Sequence, residues 1–141
     1  MTESTSVQRS FRISARTLEL LDSAAVEGAE SRNALVDRLL GEAIRVERHP
    51  LVRFQQGAGG RRRPQLTGTR LYVHHVMPTL RDHEGDIAET AAYFDVDTQL
   101  IRSALAYYAD HADEVDADIA DDLRVADDER SRWARQRRVI G

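Results

Sequence analysis

Residues 7 to 14 read Val7-Gln8-Arg9-Ser10-Phe11-Arg12-Ile13-Ser14, and this stretch decides the fold of the N-terminal part of the chain. Side chains alternate between the two faces of a strand, so Phe11 and Ile13 share an apolar face. The opposite face is polar and carries Gln8, Ser10 and Arg12. A strand this short cannot pair its own backbone groups, and the nearest partner is the same strand of a second copy of the chain.

Two helices are predicted directly after this strand. Ser14 is a favourable N-cap for a first helix over residues 15–30, which presents Leu18 and Leu21 on one face. Ser31 can cap a second helix over residues 32–48, with Leu35 and Leu39 at helical spacing. The predicted dimer core comprises Phe11, Ile13, Leu18, Leu21, Leu35 and Leu39. A ribbon of two paired strands fits the major groove of DNA with its polar side chains towards the base edges.

A strand followed by two helices over about 40 residues resembles the ribbon-helix-helix repressors of the Arc, MetJ and CopG family. The resemblance is carried by residues 9–14, by Leu18 and Leu21, and by residues 28–35. It implies an obligate dimer in which Gln8, Ser10 and Arg12 contact bases. It also implies that the start of the second helix contacts a DNA phosphate through Ser31, Arg32 and Asn33, where free amides favour an anion.

Composition excludes several classes of protein. The chain has 141 residues, no cysteine and a net charge of −4, so disulfides and thiolate metal sites are ruled out. No segment predicts a membrane span or a signal-peptide core, and a cytoplasmic protein is expected. The charge is unevenly distributed: residues 1–80 carry 12 arginines and eight acids, whereas residues 81–141 carry eight arginines and 16 acids. The first part is therefore the one suited to a polyanion.

The middle of the chain predicts a β-hairpin followed by helices. Two or three short strands are expected, at residues 51–54 and 61–66 with 70–73 as the possible third, and a helix from about Val76 to Arg81. Residues 86–94 and the segment capped by Asp97 and Thr98 have the rhythm of a helix-turn-helix, with Gln99, Arg102 and Ser103 on the recognition side. Arg61-Arg62-Arg63 has two equally supported interpretations, a solvated hairpin face or a contact to phosphates.

Residues 51–118 resemble the prokaryotic domain of unknown function 433, which includes VapB-type antitoxins that pair with PIN-like ribonucleases. The resemblance is carried by residues 59–62, by the segment 66–73 with its Gly-Thr-Arg core, and by Ala104-Leu105-Ala106-Tyr107-Tyr108. The family tends to place proline after the aromatic residue near Phe94, whereas Asp95 stands here. The acids around this helix-turn-helix would repel phosphate, which favours a structural or protein-binding role.

The C-terminal tail reverses its charge along its length. Residues 110–129 hold ten acids and one arginine, and residues 130–138 hold five arginines around Trp133. The segment is either a solvated helix or one that binds the acidic metal site of a toxin. Under the second interpretation the contacts come from Arg132, Trp133 and Arg135, because aromatic residues and arginines dominate interface energies.

The chain offers no convincing catalytic or cofactor motif. His74, His75 and His83 match no common metal-ligand spacing, so no metal site is predicted. The acids near Asp121 and Asp128 lack a nucleophile or a buried setting, and the glycines at 57–60 lack the helix and the Lys-Ser or Lys-Thr pair of a phosphate loop. We therefore expect neither an enzyme nor a cofactor.

The sequence predicts a mainly α protein with short strands, in four segments. Residues 1–6 are disordered, 7–49 form a ribbon-helix-helix domain, 50–118 form a β-hairpin with a helix-turn-helix, and 119–141 form a helical tail. The predicted function is a type II antitoxin that binds operator DNA as a dimer, represses its own operon and neutralises a PIN-like ribonuclease. Two alternatives stay open: a regulator without a toxin, and an interaction scaffold that does not bind DNA.

Overall fold

The computed structural model describes residues 5–57 and 60–141, which divide into two compact units at Arg48 and His49. The described residues are mainly helical, with one two-stranded antiparallel sheet, as the sequence predicts. Residues 1–4 of the segment predicted to be disordered, and Ala58 and Gly59 of the predicted glycine turn, lie outside the described residues. Within the described part, no helix is both long and apolar enough to cross a membrane.

The N-terminal unit contains two helices. Helix α1 spans Ala15–Glu27 and helix α2 spans Arg32–Arg48. The Ser14 hydroxyl accepts a hydrogen bond from the backbone N–H of Thr17 at 3.1 Å, which confirms the predicted N-cap. The predicted bounds of α2 are confirmed at both ends, and α1 ends one turn earlier than predicted, at Gly28.

Residues 5–14 form no strand within this single chain. A strand is defined by hydrogen bonds to a neighbour, and the described residues of the N-terminal unit contain no other strand to pair with. The predicted pairing is with a second copy, so the strand stays a prediction. Ser14 itself is extended, with φ −66° and ψ 152°.

The C-terminal unit begins with a β-hairpin. Strands β1 (Val52–Gln56) and β2 (Arg62–Leu66) pair antiparallel, with Val52 opposite Leu66. Of the two or three strands expected, two form: residues 70–73 contribute only a single bridge from Gln65 to Tyr72, and helix α3 already begins at Val73. The predicted turn at residues 67–69 is present, and Gly68 adopts φ +76° there, a conformation that favours glycine.

Four helices follow the hairpin. They are α3 (Val73–Asp82), α4 (Ile87–Phe94), α5 (Thr98–Asp110) and α6 (Ala112–Ile140). Asp97 caps α5 as predicted, by accepting a hydrogen bond from the backbone N–H of Gln99 at 2.8 Å. Asp95 ends α4 in the left-handed region at φ 55°, which proline cannot adopt. The aspartate therefore suits this turn.

One apolar core holds the C-terminal unit together. Its centre is built from completely buried residues of the hairpin and of helices α3, α5 and α6, among them Val52, Leu66, Val76, Ile101, Tyr107 and Val115. Val96, in the turn between α4 and α5, packs against this core, as the helix-turn-helix rhythm requires. Helix α6 is continuous through residue 118, where the sequence places the start of the tail, and its first turns are part of the core.

Candidate functional site

The predicted base-contacting residues lie on an exposed N-terminal segment. Gln8, Ser10 and Arg12 are all exposed and precede the first turn of α1. Arg9 on the alternate face donates a hydrogen bond to the backbone oxygen of Gln8 at 3.0 Å. Three arginines and no acid occur among residues 5–18, so the segment is locally basic although residues 1–48 together carry eight acids against seven arginines.

The predicted dimer core is largely uncovered in one chain. Phe11 is 81% exposed and Ile13 is 52% exposed. Leu18 and Leu39 are exposed as well, Leu21 is half-buried, and only Leu35 of the predicted set is buried. Helix α1 contains no buried residue at all. One copy of this unit therefore leaves most of the predicted dimer core in contact with water, and large exposed apolar patches often mark protein–protein contacts.

The predicted phosphate-contacting residues lie together at the start of α2. The Ser31 hydroxyl accepts a hydrogen bond from the backbone N–H of Ala34 at 3.2 Å. Asn33 is exposed. Arg32 forms an ion pair with Asp22 of α1 at 2.6 Å, in which both side chains are about half exposed. A phosphate at this helix end would therefore have to compete with Asp22 for Arg32.

The predicted toxin-binding residues lie on the last turns of α6. Arg132 and Arg135 are exposed, and 58% of Trp133 is exposed. The last buried residue of α6 is Asp118, so the helix continues for about 20 residues with little burial. Helices in proteins owe most of their stability to the packing of one face, and this part of α6 has little of it. The arrangement suits a segment that gains its packing from a partner.

A partly buried charge cluster, defined by Arg61, Arg63, Asp118, Asp121 and Asp122, joins the hairpin to α6. The Arg63 guanidinium donates hydrogen bonds to Asp121 at 2.7 Å and to Asp122 at 2.8 Å. Asp118 lies 3.6 Å from Arg63 and 3.2 Å from Arg61. Arg63 and Asp118 are both buried. Both sequence interpretations of the arginine run are therefore wrong for Arg63, because its charge is satisfied inside the protein.

The cluster also corrects the expectation that the acids near Asp121 lack a buried setting. Burial would raise the pKa of Asp122, but the hydrogen bond from Arg63 and the nearby charge of His74 outweigh it, so this pKa lies below its usual range. Burial holds the pKa of Asp118 above its usual range against the pull of Arg61 and Arg63. Burial opposes the charge on Arg63, yet hydrogen bonding and the surrounding aspartates raise its pKa.

Two histidines converge on the same aspartate. The Nε2 of His74 lies 2.8 Å from Oδ2 of Asp122, and the Nε2 of His75 lies 3.6 Å from the same oxygen. His74 is buried, whereas 45% of the His75 side chain is exposed. Burial, with the neighbouring His75, lowers the pKa of His74. His83 stays apart from this group and contacts Tyr93 and Thr90 instead.

An open cavity borders these histidines. Its volume is about 360 Å³, and it is lined by α3, by the end of α4 and by α6, with Tyr93, Phe94 and Leu123 forming its apolar part. Little in the sequence indicates this site, because Asp122 is 47 residues from His75. His49, which the sequence did not single out, is also buried and bonds to Asp110 at 2.9 Å.

The helix-turn-helix surface is mixed in charge. Gln99 and Arg102 are exposed and Ser103 is half-buried, so the predicted recognition side is accessible in part. Asp95 and Asp97 occupy the turn beside it. Comparison with protein-family models, with curated proteins and with solved structures finds no match to this chain.

Proposed function

We propose that this protein is a homodimeric ribbon-helix-helix regulator that binds its own operator as the antitoxin of a type II pair. The single observation that carries the proposal is the exposure of the predicted dimer core in the N-terminal unit. Phe11 and Ile13 are exposed beside a helix without a buried residue, and both would be covered if two copies paired their N-terminal segments. Burial of one large apolar side chain contributes about 1.5–3 kcal/mol, which makes such pairing favourable.

DNA recognition follows from the opposite face of the same segment. Pairing that buries Phe11 and Ile13 turns Gln8, Ser10 and Arg12 outwards together, since alternate residues point to opposite sides of a strand. In the major groove an arginine can bond a guanine with two hydrogen bonds, and glutamine can do the same with adenine. Ser31 and Asn33 would hold the DNA backbone, and Arg32 would exchange Asp22 for a phosphate.

The test of operator binding is fluorescence anisotropy on the DNA upstream of this reading frame, with random duplex as the reference, at two salt concentrations. Arg12→Ala should weaken specific binding by about 1–3 kcal/mol, the usual value of a good base contact. Arg9→Ala is the matched control, because it removes the same charge from the other face of the segment. It should weaken binding to both duplexes about equally.

Equal binding of operator and random DNA, or no binding at all, would move the function to the interaction scaffold. Two observations favour that alternative. Arg32 is already paired with Asp22, and the first 48 residues carry one more acid than they carry arginines. A scaffold predicts that Arg12→Ala leaves dimerisation intact and that no duplex binds.

Toxin neutralisation rests on the exposed end of α6. Trp133 would provide the apolar contact, and Arg132 and Arg135 would reach the carboxylates of a PIN-like ribonuclease. The test is co-expression of the full chain, or of a chain truncated after Asp127, with the product of the adjacent reading frame. The truncated chain should keep operator binding and lose the co-purifying ribonuclease. Co-purification unaffected by the truncation would place toxin binding elsewhere, and no ribonuclease with either chain would favour a regulator without a toxin.

A further inference from the structure

We propose that His74, His75 and Asp122 form a binding site for a divalent transition-metal ion such as Zn²⁺, open on one side to the cavity between α3 and α6. The three side chains come from two helices, and their donor atoms all lie within 4.8 Å of one another. Two imidazoles and one carboxylate are a donor set that suits Zn²⁺ and its neighbours in the first transition row. The proposal is independent of the DNA-binding function.

The distances fit an ion without movement of the backbone. In a tetrahedral zinc site each ligand atom lies about 2.0–2.1 Å from the ion, so any two ligand atoms are separated by roughly 3.3 Å. The two observed separations from Asp122 Oδ2 are 2.8 Å to His74 and 3.6 Å to His75. They bracket that value, and the separation between the two imidazole nitrogens lies within 4.8 Å, so side-chain rotations would be enough to bring the three atoms around an ion.

The orientation of the His75 ring also suits an ion. The Nε2 atom of His75 faces Asp122, while the Nδ1 atom of His75 is turned towards the backbone N–H of Tyr72 at 3.5 Å. Because this hydrogen bond is long, its loss when a proton moves to Nδ1 costs little.

The charge balance sets a limit on affinity. Arg63 lies 3.3 Å from His74 Nε2 and repels a cation, but Asp118 and Asp121 offset its charge and that of Arg61. The Nδ1 atom of His74 is buried and has no hydrogen-bond partner in the described part of the chain, so a proton there would be unpaired. We therefore expect binding weaker than at a four-ligand structural zinc site.

An ion here would leave a coordination position for an external ligand. Only three protein donors converge, and Zn²⁺ ordinarily takes four ligands. The cavity beside them holds the remaining position open to water or to a carboxylate of a bound molecule. The ion would also link α3 to α6, and binding to the folded state alone would raise the stability of the C-terminal unit.

The experiment uses the untagged full chain, stripped with a chelator and titrated with Zn²⁺ by calorimetry and with Co²⁺ by visible absorption. We expect one equivalent per chain, ligand-field bands of nitrogen and oxygen coordination, and an increase in melting temperature. His75→Gln should weaken binding about tenfold or more, since glutamine keeps the helix-capping capacity at this position but removes the imidazole. His83→Gln is the matched control and should bind as the unchanged chain does.

Three results would overturn the site. The first is that neither ion binds, and the second is that His75→Gln binds the ion as tightly as the unchanged chain does. The third is a stoichiometry of half an equivalent per chain, which indicates an ion that bridges two molecules. Asp122→Asn provides a second variant, and its fold is checked by circular dichroism before titration. A folded Asp122→Asn chain with undiminished metal affinity would contradict the proposal as well.

Discussion

Arg63 provides most of the ion pairs between the hairpin and α6. Its guanidinium bonds two aspartates and approaches a third, and only 9% of its side chain is exposed. A cation in this position offsets the desolvation of the carboxylates that surround it. Without it, Asp118, Asp121 and Asp122 would repel one another within a few ångströms.

Arg63→Ala should therefore destabilise the C-terminal unit by about 2–4 kcal/mol, below the value for a fully buried pair because Asp122 is partly exposed to water. The free energy of unfolding is measured by urea denaturation followed by circular dichroism. Arg53→Ala, on the exposed side of β1, is the matched control and should change the stability little. Equal effects of the two substitutions would show that the cluster does not stabilise the unit.

Asp118 should give the unit a distinct pH dependence. Its pKa is raised above the ordinary 3.8, so the folded state holds this proton more tightly than the unfolded state does. The associated stability is present at low pH and is lost as the pH rises through the folded pKa. Relative to Asp118→Asn, the unchanged protein should gain stability as the pH falls from neutral towards 3.8.

The measurement is the difference in urea midpoint between the two proteins at pH 7 and at about pH 4.5. Subtracting one urea midpoint from the other cancels most of the pH dependence due to the other carboxylates, because both proteins contain them. A difference in urea midpoint that does not change with pH would contradict a raised pKa of Asp118 in the folded protein.

Helix α1 shows how local signals act at the scale of a secondary-structure element. Its start is fixed by the Ser14 hydroxyl, which bonds the Thr17 N–H at 3.1 Å. Since no residue of α1 is buried in one chain, tertiary packing offers little compensation for a lost cap. The cap therefore contributes directly to the stability of the N-terminal unit.

Ser14→Ala should destabilise the N-terminal unit by about 1 kcal/mol, the usual effect of losing an N-cap. The change is measured as a shift of the thermal transition followed by circular dichroism. Ser23→Ala removes an exposed hydroxyl in the middle of the same helix and should be neutral or slightly stabilising, because alanine is the better helix former. A larger loss from the second substitution would contradict this account.

At the scale of the whole molecule, the two units have different requirements for stability. The C-terminal unit buries a continuous core of its own. The N-terminal unit buries only Leu35 of its predicted core. We therefore expect self-association to depend on the first unit.

Deletion of residues 1–14 should abolish the dimer, because it removes both paired strands and the apolar side chains of Phe11 and Ile13. The molar mass is measured by light scattering after size-exclusion chromatography. Deletion of residues 1–6 alone is the control and should leave the dimer intact. A dimer of unchanged stability after the longer deletion would refute the paired-strand arrangement.

The sequence by itself determined where α1, α2 and α5 begin and where α2 ends. Ser14, Ser31 and Asp97 are capping residues, and Pro50 follows the end of α2. Each acts through contacts within a few residues of itself, so its effect can be recognised without a tertiary structure. The alternation of apolar and polar residues over 7–14 likewise predicts which side chains share a face. A strand at this position needs a partner strand, and the proposed partner is the same segment of a second copy.

Only the tertiary structure decided the environment of the charged residues. Nothing near Arg63 in sequence distinguishes it from Arg62, and its burial depends on aspartates about 60 residues away on α6. The convergence of His74 and His75 on Asp122 arises in the same way, from the packing of α6 against α3. Electrostatic interactions depend on distance in space and on burial, and the periodicity of a sequence encodes neither for residues on separate elements.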